Sequence, residues 1–132
     1  MIWPLIRGLA ETLEHFFKKK LTVQYPEEKR DLPDRFRGRP KLVLDNDGKI
    51  KCVVCMLCVA VCPSQAITIE AEEGKDPSIR YPKEYVIDLG RCIYCGYCEQ
   101  VCPKEAIVLT KEYELAQYNR KELFYDISKL IK

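Results

Sequence analysis

The chain has 132 residues, 47% of them apolar and 32% charged, with a formal charge of +2. That length holds one compact domain with extensions rather than two full domains, and so small a core is marginal by itself. No stretch approaches the roughly 18 consecutive apolar residues of a membrane span, and no apolar leader with a small-residue cleavage site opens the chain, so the sequence predicts a cytoplasmic, non-spanning protein.

Residues 2–17 place Ile2, Leu5, Ile6, Leu9, Leu13, Phe16 and Phe17 at three- and four-residue steps, with Lys18, Lys19 and Lys20 following. This predicts a helix with one apolar face and a basic end. No fold lies nearby in the sequence to bury that face, so it suits a membrane surface or a partner's groove better than a return onto its own domain. His15, the one histidine, falls inside this helix and reads as an ordinary surface or interfacial residue. Residues 24–40, "QYPEEKRDLPDRFRGRP", carry three prolines and many charges and predict an extended, irregular arm. In it Arg35, Arg37 and Arg39 alternate, so an extended backbone would set all three on one side, with a solvated linker as the plainer reading.

Residues 52–63 read "CVVCMLCVAVCP" and residues 92–103 read "CIYCGYCEQVCP", and these two runs hold all eight cysteines. Each is C-x2-C-x2-C-x3-C-P, the bacterial iron-sulfur spacing in which the fourth Cys ligates the other cluster. Three thiols at i, i+3 and i+6 on a turning loop reach three corners of one cubane, and the fourth, one helical turn further on, points away from them. Crossed ligation follows, with Cys52, Cys55, Cys58 and Cys102 on one [4Fe–4S] cluster and Cys92, Cys95, Cys98 and Cys62 on the other. Paired zinc sites are the alternative, but they need neither the third Cys nor the Cys-Pro step in both copies. Disulfides would need an oxidising compartment that nothing in the sequence indicates. Eight thiolates against two cluster cores in the 2+ state bring the charge to about −2, which leaves no footprint for nucleic acid.

The duplication runs past the cysteines: "KCVVCMLCVAVCPSQAITI" aligns with "RCIYCGYCEQVCPKEAIVL" at an offset of forty. The fold class expected is therefore α+β, a two-cluster 2[4Fe–4S] ferredoxin fold with a pseudo-two-fold internal repeat, plus an N-terminal amphipathic helix, the arm and a C-terminal extension. Strands are expected near Ile67–Glu70, Tyr85–Asp88 and Ile107–Thr110. The segment "AEEGKDPSIRYPKE" between the copies reads as a polar surface loop. The halves differ where Gly96 replaces Met56, and Tyr94 and Tyr97 replace Val54 and Leu57, which suggests unequal cluster potentials through hydrogen bonding to sulfur and through water access. At the C-terminus, "NRKE" from Asn119 to Glu122 reads as a helix cap before Leu123, Phe124, Ile127, Leu130 and Ile131, a second apolar face without a cover. The domains expected are 1–40 for helix and arm, 41–110 for the ferredoxin unit and 111–132 for the extension. With no phosphate loop and no Ser-His-Asp set, electron transfer is the chemistry expected, without a reaction centre of the chain's own.

The residues "VQYPEEK" with Leu21-Thr22 in front, "RFRGRP", "RCIYCGYCEQVCPKEAI" and "YELAQYNRKELFYD" together resemble the ferredoxin-like iron-sulfur subunit, subunit I, of respiratory complex I (NADH:quinone oxidoreductase). The likeness covers about residues 16–126, and the arm and C-terminal motifs set it apart from free ferredoxins. It implies a component of a multi-subunit, membrane-associated quinone reductase, lying peripherally on the cytoplasmic face of the inner membrane. Its two [4Fe–4S] clusters would relay electrons to a neighbouring subunit that holds the terminal cluster, and its N-terminal helix would lie along the membrane surface. The alternatives are the equivalent subunit of a membrane-bound hydrogenase or ferredoxin-driven complex, and a soluble two-cluster ferredoxin.

Overall fold

The computed structural model describes residues 2–73 and 80–132; residues 74–79, the middle of the "AEEGKDPSIRYPKE" segment, lie outside them. The chain forms two compact units, Met1–Leu32 and Pro33–Lys132.

In the first unit, helix α1 spans Trp3–Phe17, opened by a proline in its first turn where the missing N–H costs nothing. It ends as the Lys18 N–H donates to the His15 carbonyl, with an exposed Glu14–Lys18 ion pair at 2.9 Å alongside. No residue of α1 is buried. Such a helix gains little from isolated propensity, and its large apolar side chains stand in solvent, Leu9 at 70% and Phe16 at 79% exposure.

The second unit is built from short antiparallel pairs. Strand β1 (Pro40–Leu42) pairs with β4 (Ile107–Leu109), with Pro40 opposite Leu109 and Leu42 opposite Ile107. Strand β2 (Ile67–Glu73) pairs with β3 (Arg80–Asp88), with Ile67 opposite Ile87 and Ile69 opposite Tyr85, and a bulge at Glu70/Ala71. Two five-residue helices, α2 (Leu57–Val61) and α3 (Tyr97–Val101), carry the third cysteine of each run. The core is one cluster that includes Leu42, Ile67, Ile69, Tyr85, Ile87, Ile107 and Leu130, with Cys58 inside it.

Four expectations change. The strands at Ile67 and Tyr85 extend further than their β-branched runs, so the expected polar loop is strand at Ala71–Glu73 and Arg80–Glu84, where ladder bonds override the low strand preference of residues such as Glu72 and Lys83. Thr110 lies just beyond β4, but its N–H still donates to the Arg39 carbonyl at 2.9 Å. The three alternating arginines do not share one face. Arg39 is buried, pairs with Glu112 at 2.7 Å and lies over the Tyr125 ring, while Arg35 is exposed.

The C-terminal face is not left uncovered either. Residues Arg120–Leu123 form a single 3-10 turn, Phe124–Tyr125 form β5 on the edge of β3, and a separate helix α4 covers Ile127–Ile131. The cap of α4 is Asp126, whose carboxylate accepts from the Lys129 N–H at 3.0 Å, and Leu130 is fully buried. Asn119 instead donates its side-chain amide to Glu122. Backbone and Ser128 hydrogen bonds at that cap hold the Asp126 carboxyl below its usual range.

Candidate iron-sulfur cluster sites

The two cysteine runs fold by the same backbone rule. Left-handed conformations recur at equivalent positions: Val54 and Tyr94 at φ 53°, Met56 at 63° and Gly96 at 82°, Gln65 at 49° and Glu105 at 48°. Such values in side-chain-bearing residues cost of order 1–3 kcal/mol each and persist where the surroundings dictate them. Here they recur at matching places between and just after the cysteines of each run, so the two loops follow one path. The closing turns match as well. The Cys62 N–H donates to the Val59 carbonyl and the Cys102 N–H to that of Glu99, both at 3.3 Å.

Each fourth cysteine is then held by its own half. The Ala66 N–H donates to Cys62 Sγ at 3.4 Å, and the Ala106 N–H to Cys102 Sγ at 3.2 Å. Both sulfurs are thereby carried away from their own run. One cavity is lined by Cys52, Cys55, Cys58 and Cys102, with Leu42, Ile69, Tyr85 and Ile107 among its walls. The other is lined by Cys62, Cys92, Cys95 and Cys98, with Pro40, Ile67, Ile87 and Leu109. All eight predicted site residues therefore fall into two groups of four, three from one run and one from the other. Among the described residues, no three such groups converge closely enough to share a single metal ion. Tetrahedral zinc would need sulfurs about 2.3 Å from one point, whereas a cubane holds its thiolates further apart.

Electrostatics fits the same material. Burial pushes the Cys52, Cys58 and Cys92 thiols up, and takes Cys98 to about 12. Thiols in such a setting ionise when a bound metal supplies positive charge. Cys62 goes the other way. Burial raises it, but the Ser64 hydroxyl, 3.5 Å away, and nearby backbone N–H groups outweigh that and lower it.

The cysteine spacing does not reveal the residues that reach the sites from elsewhere. Arg37 donates to the Cys95 carbonyl, and a Cβ on Gly96 would lie 3.0 Å from Arg37 Nε, so the glycine leaves space that the arginine fills. The Tyr85 hydroxyl lies 3.6 Å from Cys58 Sγ in the core, where burial and the neighbouring thiol push its phenol far above the usual range. The one sequence hint of Tyr85 is its place in the apolar alternation of "YVID".

Residues 51–106 match the family model of the 4Fe-4S dicluster domain. Over all 132 residues the chain is 44% identical to NADH-quinone oxidoreductase subunit I 2 of Geobacter metallireducens, covering 99% of it, and 46% identical to subunit I 1 of Geobacter sulfurreducens, covering 98%. A 48% identical relative, NADH-quinone oxidoreductase subunit I of Cytophaga hutchinsonii, is covered over 77% of its length by 97% of this chain. Among solved structures, a chain of the membrane-bound sulfane sulfur reductase, an archaeal respiratory membrane complex, aligns with a TM-score of 0.57 at 31% identity, over 85% of this chain and 56% of that one. With near-complete coverage at such identity, and with eight cysteines in the dicluster pattern, the chain belongs to the NADH-quinone oxidoreductase subunit I family.

Proposed function

We propose that Cys52, Cys55, Cys58 and Cys102 hold one [4Fe–4S] cluster and Cys92, Cys95, Cys98 and Cys62 the other, in halves related by a pseudo-two-fold axis. The carrying observation is the partition of the eight thiols, each cavity drawing three from one run and the fourth from the other. When bound, each cluster supplies a one-electron redox centre. The chain's own residues hold the thiolates in place, line the sites with Ile, Leu and Pro, and donate N–H groups to Cys62 and Cys102.

The chain is an electron-transfer subunit of a membrane-associated NADH:quinone oxidoreductase. In our reading it passes electrons toward a terminal cluster on a neighbouring subunit, from which quinone is reduced. Residues 1–32 serve attachment and the rest the relay, in which Pro40 lines one cavity and Leu130 of the C-terminal extension is buried in the core. No described helix is long and apolar enough to cross a membrane, and the exposed apolar side of α1 with its three following lysines supports a peripheral, cytoplasmic-face position held by that helix. The likeness to the sulfane sulfur reductase chain favours, as a second reading, the same relay fed by another donor.

Cys102→Ala decides the ligand sets. The expected outcome is loss of the same electron paramagnetic resonance signal that Cys55→Ala abolishes, with the other signal retained. Loss of the Cys95-dependent signal instead would overturn crossed ligation.

A further inference from the structure

The pairing registers show that the two sites are not equivalent. Leu42 faces Ile107 as Ile87 faces Ile67, and Pro40 faces Leu109 as Tyr85 faces Ile69. The Val43 N–H donates to the Ala106 carbonyl as the Asp88 N–H donates to that of Ala66, at 2.9 and 2.8 Å. By this correspondence the counterpart of Tyr85 is Pro40, and each lines its own cavity. Tyr85 is 1% exposed and its hydroxyl lies 3.6 Å from Cys58 Sγ. Pro40 has no polar side-chain atom to offer the other site.

We infer that Tyr85 is a positioning residue which, by donating its phenolic hydrogen to the Cys58 sulfur, raises the reduction potential of one cluster and leaves the other without that bond. The inference rests on the ligand sets proposed above. A metal-bound thiolate carries no proton, so the phenol is the donor and the sulfur the acceptor. Reduction adds negative charge that spreads onto the ligating sulfurs, and a hydrogen bond to one of them is stronger in the reduced state. The Tyr85 side chain is buried, so water does not compete for its hydroxyl, which keeps the bond in both states.

The test is a potentiometric titration, followed by electron paramagnetic resonance, of the intact complex carrying wild-type or Tyr85→Phe chain. The expected result is a shift of about tenfold toward the oxidised form for one cluster, a fall of 59 mV for one electron, with the other cluster's midpoint unchanged. On the shifted signal, prolonged exchange of the wild type into D2O should introduce one deuteron coupling beyond those of the backbone N–H groups, and Tyr85→Phe should lack it. Unchanged midpoints for both clusters, or an equal fall in both, would overturn the inference. Cys58→Ser separates the two layers of the argument. If Tyr85→Phe shifts a signal that Cys58→Ser leaves untouched, the ligand sets are wrong; if Cys58→Ser perturbs a signal that Tyr85→Phe does not move, the hydrogen bond alone is wrong. Should Tyr85→Phe fail to load iron, fluorotyrosine incorporated at Tyr85, a stronger donor of nearly the same size, should raise the Cys58-dependent midpoint, and an unchanged midpoint refutes the role.

Discussion

The smallest differences between the halves are single residues at equivalent backbone positions. Met56 and Gly96 both adopt left-handed conformations, so the loop itself accepts a side chain there. What Gly96 adds is room, because a Cβ would meet Arg37 Nε at 3.0 Å and Leu109 Cδ1 at 3.2 Å. Gly96→Ala is therefore expected to combine the left-handed cost of about 1–2 kcal/mol with a displaced arginine. In a denaturant series that follows loss of cluster absorbance, the double variant with Arg37→Ala should lose less than the two single losses together, because neighbours in contact are not additive. Strict additivity would mean that the arm does not press on this loop. Gly38 is held more tightly still: a Cβ would lie 2.2 Å from the Glu112 carbonyl oxygen, which a backbone in paired register cannot relieve.

At the scale of elements, the sequence made legible whatever its repeat encodes. Identical cysteine spacing, Ala66 with Ala106 and Ile67 with Ile107 foretell α2, α3, β2 and β4 and the paired cavities. What stayed hidden depends on contacts between distant segments. Strand β1 is three residues opening on a proline, a composition that signals an edge rather than a pairing partner, and its ladder continues through Gly38 and Arg39 only because Thr110 and Glu112 lie opposite. A hairpin at Asp45–Lys49, bridged by Leu44 and Ile50, lengthens the first half before its cysteines. An offset of forty therefore pairs Tyr85 with Asp45, and only the strand register reveals Pro40 as its counterpart. The C-terminal apolar residues looked uncovered for the same reason, since periodicity shows that a face exists and not where it goes. Leu130 is fully buried in the core, so Leu130→Ala is expected to cost about 2–5 kcal/mol in unfolding of the loaded chain. A cost under 0.5 kcal/mol would return α4 to the role of a partner-facing appendage.

On the scale of the whole molecule, the units Met1–Leu32 and Pro33–Lys132 draw on different sources of stability. The second has inward thiols, strained loops and a core that includes Cys58, so removing iron by oxidation and chelation is expected to abolish its sheet signal in circular dichroism, since binding energy and folding energy are then the same quantity. A native spectrum after complete iron loss would contradict this. The first unit has no buried residue in its helix and must find its cover elsewhere. An apolar face with basic residues at its end binds an anionic bilayer through buried area and charge together, each lysine near the surface contributing about 1 kcal/mol at low salt. Flotation of the loaded chain with phosphatidylserine vesicles should then fall steeply for Leu9→Glu/Leu13→Glu, and only partly for Lys18→Gln/Lys19→Gln/Lys20→Gln. Raising the salt should mimic the second variant and not the first, because screening weakens the attraction of charges without touching the apolar term. Equal binding of all three proteins would mean that α1 is not what holds the chain to lipid.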